Sequence, residues 1–251
     1  MGGLSSTTTF KSGFGQTQRK DGWWLQPVLV AFGLGSFAIY STWAAFQGQY
    51  YEFGPYLSPF YSPLFLFDWW HWSPAFLILW APLGFRATCY YYRKAYYRAF
   101  FGDPPACAVG ELNEANYNGE TKFPFIMQNL HRFFFYVAVI IILVLWYDVY
   151  EAFWFDGHFG MGVGTLVLFI NSLFLSFYTF SCHSFRHLIG GKHNCFSCTA
   201  TRRGQYKIWE KVSLLNINHM LWAWISLCTV GLADLYVRLC AMGILHDVRI
   251  F

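Results

Sequence analysis

The stretch Phe133-Phe134-Phe135-Tyr136-Val137-Ala138-Val139-Ile140-Ile141-Ile142-Leu143-Val144-Leu145-Trp146-Tyr147 contains no charged residue, no Pro and no Gly. A helix built from it is apolar on every face, which a bilayer accepts as a span. Arg132 and Asp148 flank it, where a charge can reach the interface. Charge is costly at mid-bilayer, so the other uncharged runs read the same way: 22–51, 69–85, 157–185 and 212–233. A crossing takes about 20 residues. The runs 69–85 and 133–147 reach that length only with Asp68 or Arg132 placed at the interface. The expected fold is all-α, a bundle of five transmembrane helices over residues 23–251, preceded by a loosely ordered polar tail, 1–22.

Composition agrees with this reading. Only 12% of the residues are charged and 56% are hydrophobic, whereas a soluble domain carries about 25% charged residues. That excludes a disordered chain, a secreted disulfide scaffold and an ordinary soluble enzyme. Trp23, Trp24, Trp69, Trp70, Trp72, Trp146, Tyr147 and Trp154 crowd the ends of the runs, as interfacial belts do. Of 17 Lys and Arg, 15 lie before the first run or in 86–132 and 186–211, and only Arg238 and Arg249 lie on the other side. By the positive-inside bias the N-terminus is cytoplasmic, the C-terminus is outside, and the chain is a multi-pass protein of the cell membrane. The first 22 residues lack the apolar core of a cleavable signal. No internal repeat is visible, and an odd number of spans argues against an inverted-repeat transporter. With the basic residues tied to topology, nucleic acid is not an expected partner. The sequence contains no phosphate-cradling Gly-rich loop, nucleophile elbow or HExxH.

The chemistry-bearing residues gather on one side. His131, Cys182, His183, His187, His193, Cys195, Cys198 and His219 map to the cytoplasmic ends of spans or to the adjoining loop, and Cys89 and Cys107 share that side. Thiols facing the cytoplasm are usually reduced, so they read as ligands or packed thiols rather than disulfides. His183 and His187, spaced i,i+4, lie on one helix face and can reach one metal, or can stabilise a helix C-terminus. Cys195-Phe196-Ser197-Cys198 is a CxxC, half of a zinc or iron–sulfur site or a redox-labile pair. A haem would need two facing histidines, for which His131 with His183, His187 or His219 qualifies. Arg93, Lys94 and Arg98 among tyrosines suit an interfacial helix or a surface for an acidic partner. Asp148, Glu151 and Asp156 form an acidic outer cap.

Several segments together resemble one family. They are Thr88-Cys89-Tyr90-Tyr91-Tyr92-Arg93-Lys94-Ala95-Tyr96-Tyr97-Arg98, Pro104-Pro105-Ala106-Cys107-Ala108-Val109, Asn129-Leu130-His131-Arg132 and Cys182-His183-Ser184-Phe185-Arg186-His187, with Asn218-His219-Met220 and Asp234-Leu235-Tyr236. From about residue 20 to the end, the chain resembles the single-chain, five-helix membrane anchor of actinobacterial-type succinate dehydrogenase. The resemblance implies docking of a flavoprotein subunit and an iron–sulfur subunit on the cytoplasmic face, with electrons from succinate passing to a membrane quinone. It leaves room for a higher oligomer of the complex and gives the chain no catalytic residue of its own. It also implies a Rieske-type [2Fe–2S] centre, with two His on one iron and two Cys on the other. His183 and His187 would supply the imidazoles and Cys89, Cys107 and Cys182 the thiolates, with haem b as the alternative. Reducing a quinone takes two electrons and two protons, and His131, Arg132 and His219 are the candidates for holding it.

Overall fold

The computed structural model describes residues 13–112, 121–191 and 193–251. Residues 1–12 of the expected tail and Lys192 of the basic 186–211 stretch lie outside these. The chain runs through α1 (Leu25–Gln47), a hairpin of β1 (Glu52–Phe53) and β2 (Tyr56–Leu57), α2 (Phe76–Ala87) and α3 (Tyr90–Tyr96). A single-turn π-helix (Tyr97–Phe101) and a 3-10 turn (Phe125–Leu130) lead to α4 (His131–Glu151). A second hairpin, β3 (Trp154–Phe155) and β4 (His158–Phe159), precedes α5 (Val163–Phe180), α6 (His183–Gly190), α7 (Ala200–Ile217) and α8 (His219–Ala241). Among the described residues four helices are long and apolar enough to cross a membrane: α1, α4 with its 3-10 turn, α5 and α8.

Two of the expected spans take a different form. In 69–85 only Phe76–Ala87 is helical, 12 residues, or about 18 Å at 1.5 Å per residue, against a hydrocarbon core of about 30 Å. Pro59, Pro63 and Pro74 keep the preceding segment from extending the helix. Phe60 and Tyr61 tuck under α1 instead, with Tyr61 Oη donating to the Ala44 carbonyl at 2.8 Å. The last expected span, 212–233, is broken at Asn218, so α8 extends to Ala241 and carries Asp234 and Arg238 within it. These two charges are 0% and 1% exposed and pair at 3.2 Å, one helical turn apart. Asp234 also accepts from Tyr40 and Ser58, and Arg238 donates to the carbonyls of Gln49 and Ala44. A charged pair this fully hydrogen-bonded can sit in an apolar helix.

The core lies between α5, α8 and α4, with α2 against α4. Helix α1 buries only Ala44 and Ala45 and rides at the edge. On α4, Phe135, Ala138, Ile142, Leu145 and Val149 face inward at helical spacing, while Phe133, Ile140, Leu143 and Tyr147 face outward. Gly84 lets α2 approach α4 closely, since a Cβ there would enter the Phe134 ring.

At one end of the bundle the two hairpins meet the C-terminal strand, where Ile250 N–H donates to the Met161 carbonyl at 2.7 Å and Val163 N–H to that of Val248 at 3.0 Å. At the other end the N-terminal segment is strapped down from residue 13 onward. Gly15 N–H donates to the Gly110 carbonyl at 3.0 Å and Gly110 N–H to that of Gln16 at 2.8 Å, while Arg19 Nη1 reaches the Cys107 carbonyl at 2.9 Å. The part of the tail that is described is therefore ordered.

Candidate functional site

Two helix breaks of the same design define the site. Helix α2 ends at Thr88, and Cys89 follows in an extended conformation as the N-cap of α3. Helix α5 ends at Ser181, and Cys182 follows, also extended, as the N-cap of α6. At each break a hydroxyl caps backwards and a thiol turns inward. Thr88 Oγ1 donates to the Gly84 carbonyl at 2.7 Å and Ser181 Oγ to the Tyr178 carbonyl at 3.0 Å. Cys89 and Cys182 are buried in one apolar cluster.

Two histidines complete it, each the first residue of a spanning helix. His131 opens α4 and places Nδ1 3.0 Å from Thr88 Oγ1 and Nε2 3.0 Å from Cys182 Sγ. His219 opens α8 and places Nδ1 2.7 Å from Ser181 Oγ and Nε2 3.5 Å from Cys89 Sγ. The wiring is crossed: each imidazole is held by the hydroxyl of one break and faces the thiol of the other. A hydroxyl has one proton, and both are already donated to carbonyls, so Thr88 and Ser181 accept from Nδ1–H. That fixes the tautomer and leaves the Nε2 lone pairs facing the thiols; metal-binding histidines are likewise held by a hydrogen bond from their other ring N–H. Phe85 stacks on His131 at 4.8 Å and Tyr178 on His219 at 5.2 Å, so both rings are locked in plane. Burial of the two thiols disfavours their thiolates, so a metal would have to displace their protons.

Among the described residues no three His, Cys, Asp or Glu side chains are placed to hold a metal ion. Two imidazoles and two thiols line one cavity, the donor types that a Rieske-type [2Fe–2S] centre uses.

The other expected ligands lie elsewhere. His183 is exposed on the rim of the same cavity, which has a volume of about 670 Å³, and His187 Nδ1 faces Arg132 Nη2 at 3.4 Å. His183 lines that cavity and His187 does not. Cys107 is exposed in the loop after α3, 4.0 Å from Arg98. Cys195 and Cys198, expected as reduced thiols, form a disulfide. His131 and His219, expected at a quinone, are the imidazoles that meet Cys89 and Cys182.

Arg86 is a residue that the sequence reading counted only as a loop charge. It is half-buried at the end of α2, with the guanidinium 4.7 Å from the Tyr178 ring and 5.4 Å from the Tyr92 ring. It donates to Tyr92 Oη, to the Ala223 carbonyl at 3.3 Å and to Ser226 Oγ at 3.1 Å. Among the described residues these contacts use three of its five N–H groups. Arg86 also heads a second, apolar cavity of about 440 Å³ between α1, α2, α4 and α5, lined by Phe37, Trp80, Leu83 and Ile142. It therefore touches both the ring that stacks on His219 and the end of an apolar pocket.

Comparison with known proteins agrees with this architecture. The sequence matches the family described as actinobacterial succinate dehydrogenase subunit SdhC over residues 25–243. No curated protein matches it. Among solved structures, a chain of the Mycobacterium smegmatis Sdh1 complex in the apo form superposes with a TM-score of 0.84 at 45% identity, covering 94% of each chain. The chain belongs to the family of actinobacterial succinate dehydrogenase SdhC, the membrane-anchor subunit of that complex.

Proposed function

We propose that this anchor holds a Rieske-type [2Fe–2S] cluster on Cys89, Cys182, His131 and His219 and passes electrons from succinate to a membrane quinone. The observation that carries the reading is the crossed wiring: two tautomer-fixed imidazoles turn their Nε2 atoms to two buried thiols. When bound, the cluster supplies one-electron transfer at a potential raised by two neutral imidazoles. The protein's part is to hold that tautomer through Thr88 and Ser181, stack the rings and exclude water. Low-temperature electron paramagnetic resonance and an optical spectrum of the purified complex test it. A rhombic signal of low average g value, lost in His219→Ala, is expected. A Soret band without that signal would establish haem instead.

With His131 and His219 engaged at the centre, the quinone belongs in the apolar cavity headed by Arg86, where a guanidinium N–H can donate to a carbonyl oxygen. Arg132 stays at the cavity mouth on the other side, placed for traffic with water rather than for the ring. Arg86→Gln is expected to raise KM for quinone while leaving the resonance signal in place. The orientation follows the basic residues: N-terminus in the cytoplasm, α2 with segment 58–75 completing a fifth crossing, and C-terminus outside the cell membrane. A reporter after Phe251 should then lie outside and one after Gly204 inside. On that cytoplasmic face α3, α6 and α7 offer the surface for the flavoprotein and iron–sulfur subunits.

A further inference from the structure

Cys195 and Cys198 take no part in the centre just described. They lie in loop 193–199 between α6 and α7, with their sulfurs joined. The bridge spans a separation of three residues, and so short a ring removes little entropy from the unfolded chain. Stability is therefore a poor reason for it. Cys198 is exposed and Cys195 half-buried. Cys198 directly precedes Thr199, the N-cap of the 18-residue α7, whose side chain accepts from Arg202 N–H. Cys198 therefore sits at the positive end of that helix, whose first turn carries Arg202 and Arg203, a field that favours a thiolate. Arg202 Nη1 also reaches the Cys195 carbonyl at 3.5 Å. Between the two cysteines Phe196 seats on Tyr206 and Trp209, and Trp209 lies under the Arg186 guanidinium of α6 at 4.6 Å. The loop thus clasps α6 to α7, and closing or opening its ring acts on that clasp.

We propose that Cys195 and Cys198 are a reversible thiol–disulfide exchange site whose partner is a low-molecular-weight disulfide or a thioredoxin-class protein. In the oxidising direction the Cys198 thiolate attacks one sulfur of the partner's disulfide. That S–S bond breaks, and the partner's other sulfur leaves as a thiolate and takes up a proton. Cys195, as its thiolate, then attacks Cys198 Sγ in the mixed disulfide and expels the partner's first sulfur, which is protonated in turn. Two electrons pass from the pair to the partner, one disulfide forms and one is reduced. In the reducing direction an external dithiol attacks the exposed Cys198, and Cys195 leaves.

The test uses the intact complex and is independent of the cluster and of the membrane orientation. The complex is equilibrated in mixtures of reduced and oxidised dithiothreitol, quenched in acid, alkylated and read by peptide mass spectrometry. The expected result is a tenfold change in the closed-to-open ratio for each tenfold change in the ratio of oxidised to reduced dithiothreitol. In a second arm, Cys195→Ser is expected to acquire glutathione from glutathione disulfide on Cys198 at least tenfold faster than Cys198→Ser does on Cys195. A pair that stays open, or stays closed, across the whole range overturns the proposal. So do equal rates in the two variants, or a zinc ion whose removal by chelator is needed before either thiol alkylates.

Discussion

The two ends of α8 hold buried polar groups of opposite kinds. Near its C-terminus, Asp234 and Arg238 answer each other, and Tyr40, Ser58 and two backbone carbonyls take up their remaining capacity. At its N-terminus, His219 is held at Nδ1 but aims Nε2 at a thiol, and His131 does the same across the cavity. The first network closes on itself and fixes helix register. The second closes through thiol S–H groups that donate to the Nε2 lone pairs, weak bonds whose protons a metal could displace. Both are buried polar clusters, one made of charge-assisted bonds and the other of soft donors able to exchange a proton for a metal.

The contrast can be broken most severely at the functional end. Cys182→Ser is expected to abolish the low-g resonance signal and quinone reduction, while succinate oxidation with an artificial soluble acceptor persists in the assembled complex. At the structural end, Asp234→Asn strands the Arg238 charge and should lower stability by about 3–5 kcal/mol. Thermal unfolding of the detergent-solubilised complex would measure that loss, with the resonance signal of the surviving protein unchanged. Replacing both partners, Asp234→Leu with Arg238→Met, should restore most of it.

Smaller effects sharpen the contrast. Thr88→Val and Ser181→Ala remove only the hydroxyls behind the imidazoles, and each is expected to weaken cluster retention about 10–100-fold. Iron content after dialysis against a chelator would report it. His183→Ala with His187→Ala should leave both iron content and the resonance line shape unchanged. Loss of the signal in that double variant would return the ligand role to the i,i+4 pair and dismantle the crossed wiring.

The sequence carried the membrane class and the side on which the His and Cys residues gather, because long uncharged runs and basic loops are one-dimensional signals. It did not carry the end of the last span. Asp234 reads as a stop when taken alone, and its pairing with Arg238 becomes plain only once the helix is known to continue. The face that α4 buries was equally hidden, since every side of that run is apolar. At the site, Cys89, Cys182, His131 and His219 were all singled out, but the sequence put the histidines at a quinone and did not show that they face the two thiols. Helical spacing favours a local pair such as His183 and His187, whereas the contacts made here join residues 38 to 130 positions apart. One signal was available: Thr88-Cys89 and Ser181-Cys182 each put a hydroxyl before a thiol at the end of an apolar run. Arg86 left no trace of its own, because a basic residue after an apolar run reads as topology.

The crossed wiring also bears on how such a protein is made. Cys89, His131 and Cys182 emerge early from the ribosome, yet each hydroxyl–imidazole–thiol chain draws on two different breaks, and one of them closes only on His219. The Thr88–His131–Cys182 chain needs nothing beyond α6, but the four-residue set stays incomplete in a nascent chain that stops before α8. On the proposed reading, capture of the cluster waits until the last helix has entered the bilayer and packed against α5. Cofactor loading would then be a checkpoint on membrane insertion, passed only by chains whose helices have all arrived in place.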